Sequence, residues 1–137
     1  MERLTRQGIG IAALRLIVGL VFLVHGSQKL FVYHFAGVTG FFTHGNIPLP
    51  AVSAVVVTLV EFLGGVALIL GLGTRVAAIL LAINMAGAIY FVHLSAGFFA
   101  PKGYEYPLTL LVANVAIALA GAGVCAFDNL LGKSKAA

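Results

Sequence analysis

The sequence predicts an all-α fold: an integral membrane bundle of four transmembrane helices, with a short interfacial or re-entrant segment between the first and second. Two observations carry this. Of 137 residues, 61% are apolar and only 9% are charged, whereas a soluble domain carries about 25% charged residues. Four apolar runs are long enough to cross a bilayer, and no stretch between them is polar enough for a second folded unit, so residues 1–137 read as a single domain.

The first run covers 9–33 and holds no polar residue from Leu16 to Val24. Met1 to Gly8 has the basic flank of a signal peptide, but the apolar run behind it is too long for an h-region and lacks a small-residue cleavage site. It is expected to remain as the first span. Pro48 and Pro50 mark a restart, since proline suits the first turn of a helix, and the second run continues over 50–73. The glycines at 71 and 73 leave room for a tight turn alone, so the third run, 74–96, should be antiparallel to the second. After a loop holding Pro101 and Gly103, a fourth run spans 107–127, and a charged tail follows. The segment 34–49 is too short and too glycine-broken to span, yet it keeps Phe35, Val38, Phe41 and Phe42. It reads as interfacial or re-entrant.

With four spans both termini fall on one side, joined there by the Arg75 turn. That side carries Arg3, Arg6, Arg75, Lys133 and Lys135, against Lys29 and Lys102 on the other. The positive-inside bias therefore places both termini in the cytoplasm of a multi-pass inner membrane protein. The net charge of +4 reads as topology signals and lipid contacts; with few basic residues and no basic stripe, nucleic acid is not expected as a partner. Cys125 is the lone cysteine, which excludes an internal disulfide and a CxxC thiol relay. Small residues such as Gly19, Gly64, Gly65, Gly87, Gly121 and Gly123 lie within the runs, where they allow helices to approach closely, inside one chain or in a homo-oligomer.

Polar groups inside the spans are the candidates for chemistry, because a charge at the bilayer centre costs about 2.5 to 3.5 kcal/mol on insertion scales and needs a partner or a use. The first helix holds Arg15, His25, Gln28 and Lys29, the second Glu61, the third Asn84 and His93, the fourth Asn114. Counting the helical rise puts Glu61 and Asn84 at the midplane and Asn114 close to it. His25, Gln28 and Lys29 share a face, and Arg15 lies about 40° from Lys29 around the wheel, so the first helix has one polar edge that should face its neighbours. Glu61 reads four ways: an ion pair with Arg15, a protonated acid bonded to Asn84, an acid that handles protons or binds a cofactor, or a neutral carboxyl exposed to lipid. Lys29, His25 and His93 fall in the outer third, where snorkelling to the interface is open to them. Tyr104, Glu105 and Tyr106 form a polar mouth beside Pro107.

Three stretches, LRLIVGLVFLVHGSQKLF (14–31), EFLGGVALILGLGTRVAAILLAINM (61–85) and YEYPLTLL (104–111), resemble the DoxX family of small bacterial membrane proteins. The resemblance covers nearly the whole chain. It implies a four-helix membrane bundle associated with oxidoreductases: relatives include a quinone-reducing thiosulfate oxidoreductase subunit, DoxD, and DoxX proteins that join sulfurtransferase and superoxide dismutase partners. By position, the family's signature falls on Arg15, His25, Gly26, Lys29, Glu61, Gly64, Gly65, Thr74, Arg75 and Glu105. The sequence holds no flavin, iron–sulfur or nucleotide motif, so the redox role implied by the resemblance would rest on quinone, reached sideways from the bilayer. Glu61 and Arg15 are then the candidate catalytic pair, with His25, Gln28, Lys29, Asn84, His93, Asn114 and Glu105 as candidate binding residues for quinone or a small sulfur compound. The alternative is a membrane scaffold or small permeation protein in which the same groups only hold the helices together.

Overall fold

A computed structural model describes residues 5–135, and these fold as helices joined by short loops. Helix α1 runs over Arg6–Ser27, and Thr5 starts it: its hydroxyl oxygen accepts from the Gly8 N–H at 3.0 Å. The helix continues through a π-helical turn, Gln28–Tyr33, into α2, His34–His44. Together these cover 39 residues, which as one straight helix would reach about 58 Å at 1.5 Å per residue, twice a bilayer core of about 30 Å. His34, with φ of 56°, breaks the line, and α2 packs its Val38 and Phe42 against Ala54 and Val57 near the start of the next helix. The expected segment 34–49 is therefore mostly helix continuous with α1, followed by a loop that ends at Leu49 in the left-handed region.

Helix α3, Pro50–Leu70, opens with proline in its first turn and closes on Gly71 at φ 67°. There the Leu72 and Gly71 N–H groups donate to Ala67 and Leu68 carbonyls, so a reversal is made in three residues. Helix α4 follows at once over Thr74–Ala88 and extends through a second π-helical turn, Ile89–His93, and a 3-10 turn to Ala96. The expected α3–α4 hairpin is thus present. Helix α5, Glu105–Ala120, packs along α4 and touches α1. A final helix, α6, spans Phe127–Lys135.

Three helical stretches are long and apolar enough to cross a membrane: Arg6–His44, Pro50–Leu70 and Thr74–Ala96. The fourth apolar helix is shorter than the expected 107–127, with 16 residues ending at Ala120. The physical reason lies in Gly121 and Gly123, which read as small packing residues within a span but adopt φ of 91° and 70° and turn the chain out of the helix.

The bundle core is built from Val18, Phe22, Leu68, Ala78, Leu81 and Ile117. Many of the largest apolar side chains, including Ile17, Phe31, Ile83 and Leu119, are exposed on its outside, as expected where the solvent is hydrocarbon and close packing holds helices together. The tightest crossing is α1 on α3. A Cβ on Gly65 would stand 2.5 Å from the Leu23 nitrogen and 2.8 Å from the Gly19 carbonyl oxygen. One on Gly26 would run into the backbone of Phe62 and Glu61.

Candidate functional site

That glycine crossing decides what meets Glu61. One turn beyond Gly26, at the start of the π-helical turn, Lys29 Nζ reaches Glu61 Oε2 at 2.5 Å. From α4, Asn84 Nδ2 donates to Glu61 Oε1 at 3.0 Å. The carboxylate is 4% exposed, and both its oxygens accept, so the charge is compensated inside the bundle. Among the described residues no other salt bridge forms.

The lysine side chain keeps 24% of its surface exposed, so the pair is not sealed. Beside it stand His25 and Tyr106, both exposed, with ring centroids 6.3 Å apart. Tyr106 also lines a cleft of about 610 Å³ with Phe98, Pro101, Glu105, Leu108 and Thr109. The buried acid is thus held by an ammonium and an amide, and His25, one turn before Lys29 on α1, faces Tyr106 of α5.

Arg15 does not belong to this group, and the expected Arg15–Glu61 pair is not formed. The guanidinium is 1% exposed and makes five hydrogen bonds, all to backbone carbonyls. Nη1 donates to Leu68 at 2.5 Å and Ile69 at 2.9 Å, Nε to Ala122 at 2.9 Å, and Nη2 to Val124 at 3.2 Å and Cys125 at 3.1 Å. The first two acceptors are carbonyls in the last turn of α3, where the negative end of the helix favours a cation. Glu61 lies seven residues before Leu68, about 10 Å away along the axis, and Lys29 already holds it.

The remaining candidates disperse. Lys29 turns inward to the carboxylate instead of snorkelling outward, whereas His25 and Gln28, expected to face the neighbouring helices, stay exposed. Gln28 Nε2 donates to the Tyr33 hydroxyl at 3.2 Å. His93 Nδ1 pairs with the Lys102 carbonyl at 2.8 Å, which ties the end of α4 to the following loop. Asn114 is fully buried in the core; its Nδ2 donates to Leu110 at 2.9 Å and its Oδ1 has no partner. Glu105 opens α5 and lines the cleft that Tyr106 shares. Tyr106 reads in the sequence as part of the polar mouth of the fourth helix alone, and nothing in the spacing links it to His25. No group of three or more metal-ligating side chains occurs among the described residues.

At the opposite end of the bundle Asp128 of α6 closes the α3–α4 turn. Its Oδ1 accepts from the Gly73 N–H at 2.7 Å and its Oδ2 from the Thr74 N–H at 2.9 Å, so α6 caps the start of α4. Burial pushes the Asp128 carboxyl up, but the hydrogen bonds from Thr74 and Gly73 and the nearby Arg15 charge outweigh it and hold the group below the usual carboxylate range.

Comparison with known proteins bears on the whole of this arrangement. The DoxX family matches residues 10–94, which include the glycine crossing, Lys29, Glu61 and Asn84. A Bacillus subtilis protein named "Putative oxidoreductase CatD" is 38% identical over 130 residues, covering 93% of this chain and 90% of its own. The Mycobacterium tuberculosis "Uncharacterized membrane protein Rv3486" is 35% identical over 134 residues, covering 90% and 82%. A Haemophilus influenzae "Uncharacterized protein" is 33% identical over 123 residues, covering 87% and 88%. No solved structure matches the chain significantly.

Proposed function

The chain belongs to the DoxX family of membrane proteins, and from that premise we propose that it is the membrane subunit of an oxidoreductase complex, with an intramembrane site for a quinone at the open edge of the Lys29–Glu61 pair. One observation carries the reading: a compensated charge pair inside an apolar bundle whose lysine keeps part of its surface open, with the exposed His25 one turn away on the same helix and paired with Tyr106. A ligand arriving there comes out of the acyl chains, which favours a lipid-soluble ring over a small sulfur anion. The relative named as an oxidoreductase supports electron chemistry in the family.

The donor set fits two carbonyls on one ring. Lys29 keeps N–H groups beyond the one it gives to Glu61, and the Tyr106 hydroxyl or a His25 ring nitrogen would serve the second carbonyl. A bound quinone would supply an acceptor for two electrons and two protons. Lys29 Nζ would be the proton-bearing atom, Glu61 positions it through Oε2, and Asn84 fixes the carboxylate through Oε1. Arg15 stands outside this chemistry as a structural clamp. Electrons come from a redox partner protein.

Around this site we place four spans, α5 being the shortest, in a bacterial inner membrane. Arg6, Arg75 and both termini lie in the cytoplasm, with Lys102 outside, following the bias of basic residues. The α2 segment then sits at the outer interface against α3, and the exposed helix faces leave room for a second copy.

The test is binding of a quinone analogue to purified protein. Glu61→Gln and Lys29→Met should each lose binding while remaining folded in detergent, and undiminished binding in both would sink the proposal. The scaffold reading draws on a different observation, that both Glu61 oxygens are already satisfied within the chain. It requires the same variants to lower the melting temperature with no change in any binding.

A further inference from the structure

We infer that α6 is an interfacial helix, seating its apolar edge in the headgroup region of an anionic bilayer. Phe127, Leu130 and Leu131 recur at helical spacing and are 51%, 61% and 54% exposed. The other face of the same helix is the anchored one: Asp128 caps α4, the Asp128 N–H donates to Gly71 at 2.8 Å, and Asn129 Nδ2 donates to Gly123 at 2.7 Å. Asp128 and Asn129 lie roughly opposite the apolar edge on a wheel of about 100° per residue, so the bonds that dock α6 also turn its large side chains away from the protein.

A contiguous apolar edge held outward by specific bonds calls for an apolar or interfacial neighbour. Its level in the fold names one. The anchor sits at the α3–α4 turn, where Leu70 and Leu72 are also exposed, so the edge continues the surface that α3 and α4 present to lipid. Charge selects the lipid. Arg75 lines the cavity of about 650 Å³ that Thr5 and Gly8 of the chain's start share with Asp128 and Asn129, and Arg6 lies beside them in sequence. The sequence of α6 adds Lys133 and Lys135. The acid at this level, Asp128, is spent on backbone N–H groups. An apolar edge with cations at its level is the pattern of a helix lying in the plane of an anionic leaflet.

The chain has no tryptophan, so a single introduced one reports its own surroundings. Leu131→Trp, reconstituted in phosphatidylglycerol-containing vesicles, should give blue-shifted emission that brominated acyl chains quench and iodide does not, with weaker quenching in pure phosphatidylcholine. Leu130→Trp repeats the measurement should the first substitution disturb folding, and Leu119→Trp on lipid-facing α5 shows that reconstitution succeeded. Water-like emission open to iodide would overturn the inference. So would protection that rises with the protein-to-lipid ratio, which reports a second copy on the edge, or equal quenching in both lipids, which removes the anionic preference.

Discussion

Glu61 and Lys29 each supply what the other lacks, so their substitutions should not add. Among the described residues Lys29 bonds to Glu61 alone. Glu61→Gln strands an ammonium and Lys29→Met strands a carboxylate, and the double variant strands neither charge. Thermal unfolding in detergent should therefore show the double variant less destabilised than the two singles summed, with a coupling of about 0.5 to 3 kcal/mol; strict additivity would mean that the pair does not act as a unit. Arg15→Met should behave differently. It leaves up to four carbonyls without a donor, Leu68 keeping the Gly71 N–H, at about 1 to 3 kcal/mol for each that stays buried, so stability should fall by several kcal/mol while quinone binding persists in whatever remains folded. Which residues matter was legible from the sequence, because polar atoms in an apolar run are conspicuous. Counting the rise set Glu61 and Asn84 at one depth, and they are hydrogen-bonded. The partner of the charge was not legible. Rise along one axis does not reveal that α3 ends beside Arg15, offering it carbonyls, nor that Gly26 draws Lys29 inward.

The α1–α3 crossing makes a prediction at the scale of the helix pair. Gly26→Ala places a methyl group against backbone of Phe62 and Glu61, which cannot rotate aside, so α1 must lift away. A loss of about 1 to 3 kcal/mol is expected, together with loss of ligand binding as Lys29 leaves Glu61. Gly10→Ala lies in the same helix with nothing within 4 Å and should instead gain about 0.5 to 1 kcal/mol; melting temperatures of the two variants check the contrast. The docking of α6 is sensitive to pH. The Asp128 carboxyl is depressed in the folded chain, so its contribution is complete above the unfolded value of about 3.9 and fades as pH falls through the lower folded value. Asp128→Ala should thus melt earlier than the parent by a constant margin at neutral pH, of the order of 0.5 to 2 kcal/mol for a lost cap, and the margin should narrow below about pH 4. Helices were readable from apolar run lengths, and the tight α3–α4 turn from its glycines. The end of α5 was not, since a glycine in an apolar stretch looks the same whether it packs against a neighbour or adopts positive φ. The π-helical turns leave no trace in hydropathy at all.

For the molecule as a whole, orientation is open to a direct check through Cys125, the single thiol and an exposed one. It lies between α5 and α6, on the side proposed to be cytoplasmic. A membrane-impermeant maleimide should leave it unmodified in intact spheroplasts and label it in inverted vesicles, and the reverse pattern would invert the topology. The clamp on Arg15 also bears on how the protein is made. Three of its five acceptors lie beyond residue 120, so while the ribosome is still producing the last span, the first carries a cation whose docking place has not been synthesised. Biogenesis must keep α1 near the translocon or at the lipid surface until the final loop arrives. A chain truncated after Ala120 should accordingly be cleared by membrane proteases, and a pulse-chase experiment in which it outlived the full-length protein would contradict that order of assembly.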